Sequence, residues 1–290
     1  LKALSIRNGH FSFADLSRMV RYPGIDYDHV SVDSLDLELE EYRQKGDTNL
    51  FLIRHLAFRE SSGFQLDTLR GDLLLSSSAL EASGLRIVTP RSRLDLDLSF
   101  AFQGWNAFND FIDSVHVRAS IRPSKLFMAD IGHFAPELLE MPNAVQLSGE
   151  CRGRVSSFRA RGMDITVGEH TRMLADLDVI GLPDVEETFV DARFHELSSL
   201  ASGLESIRLP GNMPLGPLPE ITHRLGQLSL TGAFTGFYND FLAEARIRSP
   251  LGNVATDLVL QQLPGNKGLR YSGNVRAMPF DLGPLLAAEG

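Results

Sequence analysis

The sequence has little of what usually fixes a structure or a chemistry locally. Cys151 is the single cysteine in 290 residues, which rules out an intrachain disulfide and a thiolate metal cluster. One tryptophan and five tyrosines are too few for the two aromatic girdles of a membrane barrel. Basic residues are outnumbered, 28 Lys and Arg against 37 Asp and Glu, for a net charge of −9. That balance lacks the basic stripe of a nucleic-acid binder and the polybasic cluster that grips anionic headgroups. No apolar run reaches the roughly 18 residues of a spanning helix. The chain opens at Leu1 with no methionine, charged n-region or apolar h-region, so it reads as a piece of something longer whose anchor or export signal lies elsewhere.

Catalytic signatures are also missing. No G-x-S-x-G, H-E-x-x-H, P-loop or dinucleotide fingerprint occurs. His195-Glu196 begins a zinc motif, but Ser199 stands where the second histidine would be. His29 beside Asp26 and Asp28 reads as a solvated turn, and His133 in an apolar segment as a packing residue. Cys151 reads as a small packing residue. The expectation is a chain without enzymatic activity, cofactor or metal.

What is abundant is alternation. Hydrophobic residues make up 43% of the chain, enough to bury a core, and they recur at period two. Leu35, Leu37 and Leu39 share one face, with Asp36, Glu38 and Glu40 on the other. Leu94, Leu96, Leu98, Phe100 and Phe102 repeat the pattern, interleaved with Arg93, Asp95, Asp97 and Ser99. Val115, Val117, Ala119 and Ile121 follow; then Met163, Ile165 and Val167; then Val190, Ala192 and Phe194. Leu228 and Leu230 come next, and Val254, Thr256, Leu258 and Leu260 close the series. Turn signals stand between these runs at Gly46-Asp47, Ser62-Gly63, Ser83-Gly84, Gly168, Pro250-Leu251-Gly252 and Pro264-Gly265-Asn266. The pattern predicts an all-β fold of short strands, mainly antiparallel, with few helices.

Helices are expected over Trp105–Asp113, over Ser124–Glu140 with Ser124 as N-cap and a break at Pro136, and over His195–Ile207. Pro219–Gly226 adds a turn, and Pro210–Pro219 reads as a loop. An internal repeat is present. Leu147–Ala160 matches Leu230–Ala243 at a constant offset in Leu, Gly, Gly, Phe and Ala, and Ala175–Ile180 matches Thr256–Gln261. Val117-Arg-Ala echoes Val275-Arg-Ala. Repeats of this length stack like on like. The glycines at 149, 153, 232 and 236 are spaced to permit bends or bulges. Residues 1–145 and 146–290 are therefore expected to be two segments of one continuous elongated domain, with helical inserts near 105–140 and 195–225.

Alternation does not say what the apolar side touches. A second sheet would make a sandwich, as in a structural or adhesin module. An external apolar ligand would need a trough, and burial of acyl chains contributes about 0.8 kcal/mol per CH₂. The leucine-rich composition of the inward positions suits either.

A resemblance adds to this. Gly63–Phe100 carries Phe64, Leu66-Asp67, Leu69, Gly71, Leu80, Leu85, Ile87, Thr89-Pro90, Ser92 and Leu94 in the order of a recurrent block of the AsmA-like proteins. It is similar to the TamB branch, the translocation and assembly module, in its Bacteroidetes-type form. Phe108–Leu138 resembles the segment that follows this block, and Gly181–Phe194 and Leu225–Leu260 fit the same family. Most of the chain is covered, by motifs that encode strands and turns.

The resemblance implies an internal, periplasmic fragment of a bridge-like protein of the diderm envelope, anchored in the inner membrane outside this sequence. The family's sheet curls into an open apolar groove, a β-taco. It is thought to carry phospholipid toward the outer membrane and has been linked to outer-membrane protein assembly with an Omp85-type partner. That contact belongs to a C-terminal domain outside this fragment. About fifteen strands at a spacing of roughly 4.8 Å would line on the order of 70 Å of groove. The lining expected to meet acyl chains is Leu35, Leu37, Leu39, Leu94, Leu96, Leu98, Phe100, Val117, Ile165, Val167, Val190, Leu228, Leu230, Leu258 and Leu260, with Asp36, Glu38, Asp95 and Asp97 turned to water.

Overall fold

The computed structural model describes residues 3–209, 212–214, 218, 220–263 and 268–283. The expected turn at Pro264-Gly265-Asn266 and most of the loop in Pro210–Pro219 lie outside these residues. The described chain is all-β with few short helices. Its strands are β1 (Ala3–Ala14), β2 (His29–Lys45), β3 (Thr48–Glu60), β4 (Gln65–Leu75), β5 (Ala79–Val88), β6 (Arg93–Ala101), β7 (His116–Phe127), β8 (Ala144–Arg154), β9 (Ser157–Val167), β10 (Thr171–Ile180) and β11 (Phe189–Ser199). A small pair, β12 (Arg208–Leu209) and β13 (Met213–Pro214), precedes β14 (Leu228–Phe237), β15 (Asp240–Ser249), β16 (Gly252–Gln262) and β17 (Leu269–Phe280).

Fifteen of these strands form one unclosed sheet in chain order, from β1 to β11 and on through β14 to β17. The registered pairs are all antiparallel, and short turns suffice to join such neighbours. The contacts divide the chain into two compact units: Leu1–Ser148 with Leu209–Met213, and Gly149–Arg208 with Pro214–Gly290.

Three expected helices are shorter than the sequence implied. Trp105–Asp110 is a 3-10 turn that runs into α1 (Phe111–Ser114). Ser124–Phe127 belongs to β7, and only α2 (Met128–Gly132) and a 3-10 turn at Pro136–Leu138 are helical. Ser124 is no N-cap; its hydroxyl donates to the Arg122 carbonyl at 2.7 Å. His195–Ser199 completes β11, which leaves α3 (Ala201–Glu205). Leucines three and four apart fit a helix and also a bulged strand, and pairing with neighbouring strands decides between them.

Ser83-Gly84 is not a turn either. It is a bulge inside β5, where the register to β6 slips between Ala82 and Leu85. The same construction occurs three times. Asn8, Gly84 and Gly162 have φ of 48°, 59° and 56°, the left-handed region open to Gly and tolerated by Asn. Each donates its N–H to an aspartate on the next strand: Asn8 to Asp36 Oδ1 at 2.8 Å, Gly84 to Asp97 Oδ1 at 2.7 Å, Gly162 to Asp176 Oδ1 at 2.8 Å. The residue after each aspartate, Leu37, Leu98 or Leu177, pairs with the residue two before the bulge, Ile6, Ala82 or Ala160. A bulge sets two residues against one, bends its strand and sharpens the twist.

The bulges expose a third copy of the internal repeat. Leu69-x-Gly71 with Ala82, Leu147-x-Gly149 with Ala160, and Leu230-x-Gly232 with Ala243 occupy matching places on β4–β5, β8–β9 and β14–β15. In the third copy Ala245 stands where Gly84 and Gly162 stand in the others. The bulge is gone there, and β15 pairs with β14 and β16 without a slip.

The Gly84 N–H holds the Asp97 carboxyl below its ordinary range, helped by Arg122. The Gly162 N–H and the His195 ring do the same for Asp176. A carboxyl whose folded pKa is depressed stabilises fully above its unfolded value, about 3.9, and loses that contribution as pH falls through the folded value. Asp97→Ala is expected to lower stability at neutral pH by about 1 kcal/mol, a charged hydrogen bond discounted for its half-exposed side chain. The gap to the wild type should close in strong acid, as read by urea unfolding at both pH values.

Candidate functional site: a one-sided apolar face

The registers place the alternating residues on one continuous face in each unit. In the first unit the face crosses seven strands. Leu39 meets Leu4 and Ile53, Leu37 meets Ile6 and Leu56, and Leu35 meets Gly9. Phe51, Ile53 and Leu56 pass to Leu73, Gly71 and Leu69, and Leu69, Leu73 and Leu75 to Ile87, Ala82 and Leu80. Leu94, Leu96, Leu98 and Phe100 pair with Ile87, Leu85, Ala82 and Leu80. Across β7, Leu96 meets Ile121, Leu98 meets Ala119 and Phe100 meets Val117.

In the second unit Ile165 faces Met173 and Val167 faces Thr171. Val190 lies between Val179 and Gly236. Leu228 faces Ser199, and Leu230 lies between Leu197 and Ile247. Leu258 lies between Ala243 and Gly273, and Leu260 between Phe241 and Tyr271. All fifteen residues read from the sequence as lining thus lie on the apolar face of their own unit. The bulged strands hid the rest of it. Leu80, Ala82, Leu85 and Ile87 break period two at Gly84, and Phe158, Ala160, Met163 and Ile165 break it at Gly162. A glycine directly before an apolar residue that stands three positions after the previous one, opposite an Asp-Leu pair, is the signal that marks them.

Little of the chain covers this face. The first unit's core cluster is Ala82, Leu85 and Leu96, packed against Leu69, Leu73, Leu80, Ile87, Leu94, Leu98 and Ile121. Every member comes from the same face of β4–β7; among the described residues no facing layer contributes one. Among the described residues, ring contacts reach the first unit's face at the strand ends. At one end of β6, Phe108 and Phe111 reach Phe100, with ring centroids at 6.4 and 5.5 Å. Trp105 and Phe108 cover Phe102 at 5.2 and 4.9 Å. At the other end, Phe64 meets Phe58, His133 and Phe134 at 6.0, 5.6 and 5.0 Å.

Polar groups fix these end pieces. Asp130 of α2 accepts from Thr89 Oγ1 at 2.6 Å and Ser92 Oγ at 2.5 Å, and the Phe127 N–H donates to Ser92 Oγ at 2.9 Å. His133 Nδ1 lies 3.4 Å from Ser62 Oγ, the satisfied packing role expected of it. In the second unit Thr171 and Ser199, both buried, share a hydrogen bond of 2.6 Å beneath α3. A Cβ on Gly203 would sit 2.8 Å from both hydroxyl oxygens. Cys151 is half-buried, 3.9 Å from Met163 Sδ, and burial pushes its thiol pKa up, which suits packing and not nucleophilic attack.

The opposite face is ionic. Arg54 pairs with Glu40 at 2.7 Å, Arg122 with Asp97 at 2.9 Å and Arg172 with Asp164 at 2.8 Å. Asp95 is not simply turned to water: Arg86 at 2.5 Å and Arg93 at 3.5 Å hold it, and its side chain is 19% exposed. Asp26 also departs from the solvated turn expected of it. It is buried and takes the Arg21 and Asp28 N–H groups and the His29 ring. A depression of about 760 Å³ on the second unit's polar face is floored by Ala233 and Ala255. Asp257 there is already held by Asn274, and the site brings together no group of metal ligands. Among the described residues no helix is long and apolar enough to cross a membrane.

Comparison with protein-family models, with characterised proteins and with solved structures gave no match.

Interior positions of the face should be costly to empty. Leu85→Ala is expected to destabilise the first unit by about 2–3 kcal/mol, measured as a shift in the urea midpoint. Leu4→Ala, at a position 41% exposed on β1, should cost well under 1 kcal/mol.

Proposed function

We propose that this chain carries phospholipid acyl chains along its apolar face, as a periplasmic segment of a bridge-like protein of the AsmA-like family, TamB branch, that links inner and outer membranes. The observation that supports this reading is the one-sided apolar face itself, whose lining residues are half-buried, or buried at Leu96, Leu228 and Leu260, against neighbours from the same sheet. Leucine, valine and phenylalanine from successive strands lie side by side, and the hydrophobics packed against the first unit's central cluster come from strands of the same sheet. A soluble monomer seldom leaves a contiguous apolar patch beyond a few hundred Å² without a partner for it. A hydrocarbon chain suits such a surface, because burial is non-directional and needs no hydrogen-bonding groups from the protein. The ionic opposite face keeps the sheet in water, and the aromatic end pieces limit where cargo can lie.

Native mass spectrometry of the purified chain tests this. The wild type is expected to retain phospholipid. Leu98→Asp with Leu258→Asp places charge at two half-buried positions of the face and should reduce loading by roughly tenfold or more, with the circular dichroism spectrum unchanged. Leu96 is a poorer probe: at 8% exposure a charge there tests folding. Wild-type protein free of lipid, or loading indifferent to both charges, would contradict the proposal.

A second reading has its own support. Among the described residues the strand order ends at β1 and at β17, and a strand at the end of a sheet can receive an added strand. A scaffold for outer-membrane protein assembly, working with an Omp85-type partner, would use such an edge. Photocrosslinking from Ser272 or Val275 of β17 is expected to trap a β-strand of a nascent barrel on this reading, and lipid alone on the first.

A further inference from the structure

Exposed apolar side chains are concentrated in one place. Of nineteen large hydrophobics left exposed among the described residues, seven fall between Phe11 and Tyr27: Phe11, Phe13, Leu16, Met19, Val20, Tyr22 and Tyr27. Leu16 is 94% exposed and Met19 88%. They belong to the end of β1 and the connection to β2. Such a set facing water is unfavourable unless something covers it.

The connection is held at its base. Asp15 N–H donates to the Asp28 carbonyl at 2.8 Å, and Ile25 N–H to the His133 carbonyl at 2.8 Å. Asp26 is buried and ties Arg21, Asp28 and His29 together. The acidic groups thus lie in the stem. The tip, Leu16-Ser-Arg-Met-Val-Arg-Tyr-Pro-Gly24, carries Arg18 and Arg21 and no acid, in a chain whose net charge is −9. The tip also continues the apolar face, since Phe11 pairs with Val32 and Phe13 with Val30 at its base.

We propose that the connection between β1 and β2 docks this chain onto a phospholipid bilayer. Leu16, Met19, Val20 and Tyr22 enter the boundary between headgroups and acyl chains. Arg18 and Arg21 contact lipid phosphate, to which guanidinium binds in bidentate fashion. This is the mixture of apolar, tyrosyl and basic side chains that settles at a bilayer interface. The inference does not rest on lipid transport: a chain that carries no lipid can still dock, and one that loads lipid can lack this contact.

Vesicle flotation of the full chain tests it, with phosphatidylcholine vesicles containing phosphatidylglycerol. The wild type is expected to float with the vesicles. Leu16→Asp with Met19→Asp should cut binding by roughly tenfold or more, and Arg18→Gln with Arg21→Gln by roughly tenfold. Leu242→Asp, at an exposed apolar residue outside both the connection and the apolar face, should bind as the wild type does. Circular dichroism melts confirm that each variant is folded. A second measurement is the emission of Tyr22→Trp, expected to shift to the blue on adding vesicles. Failure of the wild type to float overturns the proposal, as does floating that either loop variant leaves unchanged. Capture of a protein partner at the loop with no vesicle binding overturns it too. Native mass spectrometry of the same variants reads lipid loading separately, so loss of docking and loss of cargo are told apart.

Discussion

The structure depends on one constraint: each strand of the large sheet pairs only with its neighbours in the chain. Backbone N–H and C=O groups must be paired wherever they leave water, and consecutive antiparallel strands meet that need with short turns. The pairing runs in chain order through fifteen strands, and among the described residues the first unit's core cluster draws on that one sheet alone. The apolar side is then a consequence of the hydrogen bonding. It is assembled from successive strands, and in the first unit short helical pieces carry aromatic rings against it at the strand ends.

The aspartate-held bulges act within that arrangement. A regular antiparallel sheet has no reason to bend at one place rather than another. At Asn8, Gly84 and Gly162 an extra residue takes a left-handed conformation, and its freed N–H is captured by the next strand. The aspartate does two things. It satisfies a donor that the ladder has lost, and it sets the register, because the leucine beside it then faces the apolar side. Where the glycine is replaced, at Ala245, the strand pairs without a slip. Local chemistry at a few positions therefore decides where each unit bends, and the apolar residues follow.

How much of this was legible depended on the element. Arg93–Ala101 and Gly252–Gln262 showed their faces plainly, because nothing interrupts period two there. Ala79–Val88 did not: Ser83-Gly84 reads as a turn, since a turn and a bulge both call for a positive φ. Ser124–Phe127 and His195–Ser199 read as helix, since leucines at mixed spacing fit a helical stripe as well as a strand with a slip. The clustering of exposed hydrophobics in Leu16–Tyr27 was not legible at all. Only the neighbours that fail to cover a side chain reveal that it is exposed.

The sequence by itself determined the strand-rich class, the side of each regular strand that is apolar, and the absence of known catalytic patterns. Those follow from period and composition, which are local. Tertiary structure decided that the strands pair in chain order, that the slips at Gly84 and Gly162 keep the apolar residues on one side, and that no part of the described chain joins the core cluster from across the sheet. These are relations between residues far apart in sequence. A strand carries the same alternation whether its apolar side meets another sheet or is left open.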